Sequence, residues 1–364
     1  MFDIQIFLVR SAGHKQNKTM LLTSLAAICI LSFHYGMAVP LTASNKTLGV
    51  ERRQAFCDES TCLLPKCRCI SASIPGNLPA SNVPQIVMVT FDDYINSENY
   101  NYYAQLYPQS DPITNPNGCT ARATFFVSGL AETNFIMVKT LSDLGHEVES
   151  HSEDHTEPQF WTREQWDEEM EGMRERLAAA TGRTLAQLNG LRTPYLQLGG
   201  EDQYDMVEDE GFLYDSSMYG GSLEEDLSPL VWPFTLDYPP SPDVCDTIRC
   251  PAVSHPGVWE IPLRRQYTVD GATSCAMSDG CITSASATVE EVEDFLLHNF
   301  LRHYNSNRAP FMISMHATWF SNVPNSFPGA QELPPRPDPP GGRLPGQLVP
   351  DSRLDPEPYQ PRFH

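Results

Sequence analysis

Positive charge is scarce in this sequence: 24 lysines and arginines face 46 aspartates and glutamates, giving a formal net charge of -22 and an isoelectric point near 4.7. Nucleic acids and anionic membranes are bound through basic surfaces, so both are excluded as partners, and a neutral or cationic ligand suits the chain better. Long apolar runs are missing as well. The run from Leu21 to Phe33 is too short for a membrane span. With Gly36 and Ala38 following at cleavage-site spacing, it reads as a removable secretory signal, residues 1–19 being an upstream extension of the reading frame. No internal repeat is apparent. At 364 residues and 41% hydrophobic composition the chain can bury a sizeable core, as one large domain or two ordinary ones, which excludes a protein disordered throughout.

Cysteine is present in number. With Cys29 inside the signal, the ten leave nine: Cys57, Cys62, Cys67, Cys69, Cys119, Cys245, Cys250, Cys275 and Cys281. In an exported chain such close pairs form disulfides, so CDESTCLLPKCRC reads as a stapled knot rather than a zinc site. The odd total leaves one thiol without a partner. Asn45 in NKT is a glycan acceptor sequence. Composition divides the chain into a signal with its extension (1–38), a linker and knot (39–82), a folded domain (83–328) and a tail (329–364). The tail is so rich in proline and polar residues that it is expected to be disordered.

Within the folded region QIVMVTF (85–91), ATFFVSG (123–129), HEVES (146–150) and FMISM (311–315) are short runs rich in β-branched or aromatic residues. That composition suits strands buried on both faces. Helices alternate with them. TREQWDEEMEGMRERLAAATG pairs Thr162 with Gln165 as a capping box, carries Trp166, Met170, Met173 and Leu177 along one face, and stops at Gly182. TVEEVEDFLLHNFLRHY repeats the device with Thr288 and Glu291, and with Val292, Phe295, Leu296 and Phe300 as its apolar face. The alternation predicts an α/β fold with a parallel sheet or barrel.

Four polar clusters fall at the carboxyl ends of predicted strands: Asp92 and Asp93, His151 and His155, Arg192 to Tyr195 after LNGL, and His316. That rim is where parallel sheets and barrels assemble their sites. His151 and His155 stand at i, i+4, which places two rings on one side of a helical turn. One of the two aspartates would complete three ligands with a fourth position open, the pattern of a catalytic zinc site. Neighbouring strand residues point to opposite faces, so Asp92 and Asp93 can serve one site only if the strand ends there. Such a metal supports hydrolysis of an amide or ester, with the second aspartate as base for the attacking water and His316 as candidate acid.

TFDD, HSEDH, RTPY, YDSSM and ISMH, in that order, resemble the five sequence motifs of the polysaccharide deacetylases of the fourth carbohydrate-esterase family. The resemblance is strongest to arthropod chitin deacetylases of the short insect gut type, which also share the leading knot, IPGNLP and VWPFTLDY, and it runs from about Cys57 to Pro328. It implies a deformed (β/α) barrel, with Asp93, His151 and His155 as ligands to zinc or another divalent ion such as cobalt. Asp92 is then the general base, Arg192 its charge partner, Tyr195 the backbone donor to the oxyanion and His316 the acid. Asp215 lies in the fourth motif, where it would line the groove, support the acid or simply shape a turn. The implied substrate is chitin or chito-oligosaccharide, deacetylated to chitosan and acetate by a secreted monomer, in the gut lining by analogy.

Two departures qualify that picture. The knot has four cysteines rather than the six of a separate chitin-binding module. Beyond the fifth motif SNVPNSFPGA is expected to run straight into the tail, leaving the barrel incomplete with an unpaired edge. A chitin-binding protein without turnover, a deacetylase of another N-acetylated glycan such as peptidoglycan, and a structural cuticle protein are the remaining readings.

Overall fold

A computed structural model describes residues 57–331 apart from 224, 226, 227, 229, 242 and 246–248. The signal, Asn45 and the proline-rich tail from residue 332 onward lie outside the described residues. Five strands follow one another along the chain: β1 (Val87–Asp93), β2 (Thr124–Val127), β3 (Glu147–Ser150), β4 (Gly190–Leu191) and β5 (Tyr214–Asp215). They pair in that order, all parallel. The strand Phe311–His316 adds parallel to the outer side of β1. On the other side Trp259–Glu260 adds parallel to β5 and Phe234–Thr235 closes the row antiparallel. The result is a mixed α/β fold around a curled eight-stranded half-barrel sheet.

Residues of alternate parity serve opposite faces of this sheet. Phe125 and Ile313 join a core beneath the helices with Phe91, Val138, Leu177, Phe295 and Phe300. Their neighbours Phe126 and Met312 instead join the inner cluster with Leu196, Tyr214 and Leu263. Both capping boxes form: the Thr162 hydroxyl accepts from the Gln165 N–H, and the Thr288 hydroxyl from the Glu291 N–H. Gly182, with φ 77°, ends its helix in the left-handed conformation that a side chain resists.

Trp166, Met170, Met173 and Leu177 are all buried. Trp166 packs edge-on to Trp161, with ring centroids 4.9 Å apart, and lies so close to Gly199 that a Cβ there would sit 2.4 Å from its ring. Trp166→Ala is therefore expected to cost about 3–5 kcal/mol, read as a lower urea midpoint with an unchanged slope.

Two expectations need correction. The helix after Thr162 runs through to Thr181 but is not α throughout: Arg163–Trp166 and Gly172–Thr181 are α-helical, and Asp167–Glu171 between them is a π-turn. The segment after the fifth motif does not run straight into the tail, because Thr318–Asn322 and Ser326–Gln331 are helices. Their Phe320 and Phe327 rings pack on Tyr102 at 5.2 and 5.1 Å. The strand Phe311–His316 does end the row with no strand on its outer side, as expected, and there the Gln266 amide donates to the Met312 carbonyl at 3.1 Å.

The cysteines pair as disulfides Cys57–Cys69, Cys62–Cys67, Cys245–Cys250 and Cys275–Cys281, and the exposed Cys119 is the free thiol among the described residues.

Candidate metal centre

Each cluster named above sits at the carboxyl end of its strand, and the ladder continues into it. The His151 N–H donates to the Val127 carbonyl, Arg192 N–H to Ser150, and Ser216 N–H to Leu191, all at 3.0 Å. Asp92 stands in register between His316 and Phe126 on its neighbouring strands. One residue on, Asp93 has φ 82°, so the chain turns and both carboxylates come to one place.

The donor atoms converge. His155 Nε2 lies 3.0 Å and His151 Nε2 3.6 Å from Asp93 Oδ1, and the three ligand atoms all fall within 4.8 Å of one another. His151 Nδ1 is 2.7 Å from the Arg192 carbonyl, which can only accept; a proton is therefore on Nδ1, and Nε2 is the nitrogen that faces Asp93. Burial alone would raise the Asp93 carboxyl pKa, but the imidazoles of His151 and His155 set against it outweigh that and hold the group well below the usual carboxylate range.

The two histidines do not share a helical turn, contrary to the i, i+4 reading. They lie in an irregular loop in which Ser152 and His155 have φ of 67° and 50°. The π-turn beside it explains how such a loop is held. Shifting to i→i+5 bonding leaves helix carbonyls free for outside donors. The Ser150 hydroxyl donates to the Met170 carbonyl at 2.7 Å and the Glu153 N–H to that of Glu169 at 3.1 Å, while Asp154 N–H reaches the Glu169 carboxylate at 2.9 Å.

Arg192 is wholly buried, and its guanidinium is fully committed. It donates to Asp92 Oδ1 at 2.7 Å, Thr90 Oγ1 at 2.8 Å, the Ser216 carbonyl at 2.7 Å and Ser216 Oγ at 2.9 Å, with Phe126 stacked 4.1 Å from its Cζ. A buried carboxylate and guanidinium stabilise each other only as a hydrogen-bonded pair. Tyr195, at φ 58°, lies in the turn that follows, with its half-exposed ring 4.8 Å from that of His155.

Asp215 does not face the groove. Its oxygens accept from Ser217 Oγ, Tyr204 Oη at 2.7 Å and Gln203 Nε2 at 3.0 Å, and burial pushes its carboxyl up to about 6. Ser217 Oγ in turn accepts from the Thr193 N–H at 2.9 Å, so Asp215 braces the turn that carries Tyr195.

His316 reaches the cluster from the opposite side, its Nε2 3.9 Å from Asp93 Oδ2. Its partner was not legible in the sequence: Nδ1 lies 2.6 Å from Asp279 Oδ2, which also accepts from the His316 N–H at 3.1 Å. Burial would lower the imidazole pKa, but the Asp279 hydrogen bond and the charges of Asp279, Asp92 and Asp93 raise it to about 9. The folded value is above the ordinary 6.5, so this contribution to stability is complete below pH 6.5 and is lost as pH rises through 9. In the metal-free chain, NMR titration of the His316 ring should give a midpoint near 9, and Asp279→Asn should move it toward 6.5.

An aspartate and two histidines gathered at the carboxyl ends of the parallel strands form a donor group of the kind that holds a metal ion, beside the buried Asp92–Arg192 ion pair. Comparison with known proteins places that class. The family model described as polysaccharide deacetylase matches residues 80–205. Chitin deacetylase 8 of Bombyx mori is 38% identical over 274 residues, covering 74% of this chain and 69% of that protein. Chitin deacetylase 1 of Bombyx mori is 38% identical over 282 residues, covering 74% of this chain but 50% of that protein, so the chain spans about half its length. A family 4 carbohydrate esterase from Streptomyces lividans, solved in complex with acetate, is 17% identical with a TM-score of 0.37 over 68% of this chain and 85% of that one. The chain belongs to the polysaccharide deacetylase family.

Proposed function

We propose that the protein is a secreted zinc hydrolase that removes N-acetyl groups from the N-acetylglucosamine units of chitin, releasing acetate and leaving glucosamine. The observation that carries this reading is the opposition of two proton-handling groups across one set of metal donors, with Asp92 on Arg192 at one side and His316 on Asp279 at the other. The relatedness to two chitin deacetylases supports the substrate class. Four disulfides support export into an oxidising compartment, and among the described residues no helix is long and apolar enough to cross a membrane.

The residues fit a divalent metal. Asp93 Oδ1 is buried and has no hydrogen-bond partner, yet it faces two imidazole nitrogens, one of them on a ring that a backbone carbonyl orients. Asp93, His151 and His155 would hold the ion, and two nitrogens with one carboxylate suit zinc. When bound, zinc polarises an amide carbonyl and makes water a better nucleophile.

The rest falls to side chains. Asp92 accepts a proton from the attacking water, and Arg192, paired with it, keeps that carboxylate oriented beforehand. The backbone N–H of Tyr195 is the donor to the developing oxyanion. His316 gives its Nε2 proton to the leaving nitrogen while Asp279 retains Nδ1–H. A paired comparison of initial rates on chitin oligomers and on peptidoglycan fragments tests the substrate: the chitin oligomers should be faster, and preference for the fragments would overturn the assignment.

A further inference from the structure

Asp279 is the one member of the site that comes from neither a sheet strand nor the loop that follows it. It sits in a single 3-10 turn, Ser278–Gly280, between Cys275 and Cys281. So short a turn has no cooperative structure of its own, and something else must hold its carboxylate 2.6 Å from the imidazole.

Two devices do so. The disulfide Cys275–Cys281 closes the turn into a small ring, and Cys275 is paired in an antiparallel ribbon with Gln266. Gln266, itself buried, uses both ends of its amide. Its Nε2 donates to the Met312 carbonyl on the strand that carries His316, at 3.1 Å, and its Oε1 accepts from the buried Ser278 hydroxyl at 3.0 Å. The ribbon is fixed from behind by Asn299, which accepts from the Tyr267 N–H and donates to its carbonyl, both at 2.9 Å. Asp279 and His316 are thus tied to one scaffold through Gln266 rather than meeting as two independent loops.

We propose that the disulfide-closed turn Cys275–Cys281, latched to the last strand by Ser278 and Gln266, is the positioning element for proton delivery by His316. The inference rests on the deacetylase reading above. In the step concerned the C–N bond breaks, its electron pair stays on nitrogen, and that nitrogen takes the Nε2 proton, leaving a neutral imidazole whose Nδ1–H still donates to Asp279. Asp92 has meanwhile gained a proton from water, and exchange with solvent restores both groups. Without the latch the imidazole swings away from the leaving nitrogen, but Asp93, His151 and His155 are untouched.

The role separates from simple structural support by the leaving group. An N-acetyl amide leaves as an amine and needs the proton, whereas p-nitrophenyl acetate leaves as a stable phenolate and does not. The full chain, loaded with zinc, is compared with Ser278→Ala and with Cys275→Ser/Cys281→Ser on chito-oligosaccharide and on p-nitrophenyl acetate. The expected result is a fall of about tenfold or more in kcat for the amide, part of the range a general acid supplies. KM, zinc content and ester hydrolysis should stay within about twofold. Undiminished amide turnover in both variants, or equal loss on amide and ester, overturns the positioning role. Ser278→Ala removes one oxygen and keeps the disulfide, so it decides the matter if the double variant does not fold. An unmodified chain that releases no acetate from the oligosaccharide refutes the deacetylase reading and the inference with it, whereas an active unmodified chain with active variants refutes the inference alone.

Discussion

His151→Ala abolishes stoichiometric zinc binding and takes acetate release to background. The residue is 1% exposed, and its Nε2 is one of the three donor atoms gathered there. The substitution also frees the Arg192 carbonyl, which loses its 2.7 Å donor. A zinc ion held only by the folded chain would raise its stability, by about 4 kcal/mol when the free ion exceeds its dissociation constant a thousandfold. Thermal unfolding of the unmodified chain should therefore shift upward with added zinc, and that of the variant should not. His155→Ala should behave alike. One zinc per chain retained in both variants would show that the ligands lie elsewhere.

Asp92→Asn is the second large effect, and it separates chemistry from metal binding. The amide keeps the shape of the carboxylate but cannot take a proton, so kcat should fall by about 10²–10⁴-fold. Zinc should stay, because Asp93, His151 and His155 are intact. Stability should fall as well. Arg192 is wholly buried, Asp92 is its carboxylate partner, and breaking such a pair from one side costs about 3–5 kcal/mol. Metal analysis beside steady-state kinetics checks all three, and a variant with normal kcat would remove Asp92 from the role of base.

The long-range plan was legible because it rests on local chemistry. β1, β3 and the strand Phe311–His316 begin and end close to where their β-branched and aromatic runs do, and the capping residues Thr162 and Thr288 act on the chain three positions away. What stayed hidden depends on contacts across the fold. Spacing suggested a helical turn for His151 and His155, but backbone at Ser152 and His155 is in the left-handed region, stabilised by a π-turn that hydrophobic periodicity does not reveal. Asp279 precedes His316 by 37 residues, and only the ribbon and disulfide bring them together. The one local hint was an acidic residue in the short cysteine-bounded stretch CAMSDGC. Asp215 belongs to a motif, yet Tyr204, Gln203 and Ser217 occupy its oxygens, a fact no pattern along the chain contains.

Acetate release from soluble chito-oligosaccharides tests the central claim most directly, measured on the secreted chain after chelation, after zinc is restored, and with Asp92→Asn beside it. The account predicts release that disappears on chelation, returns with zinc and is nearly absent in the variant. Release that survives chelation, or that the variant performs as well as the unmodified chain, would contradict it.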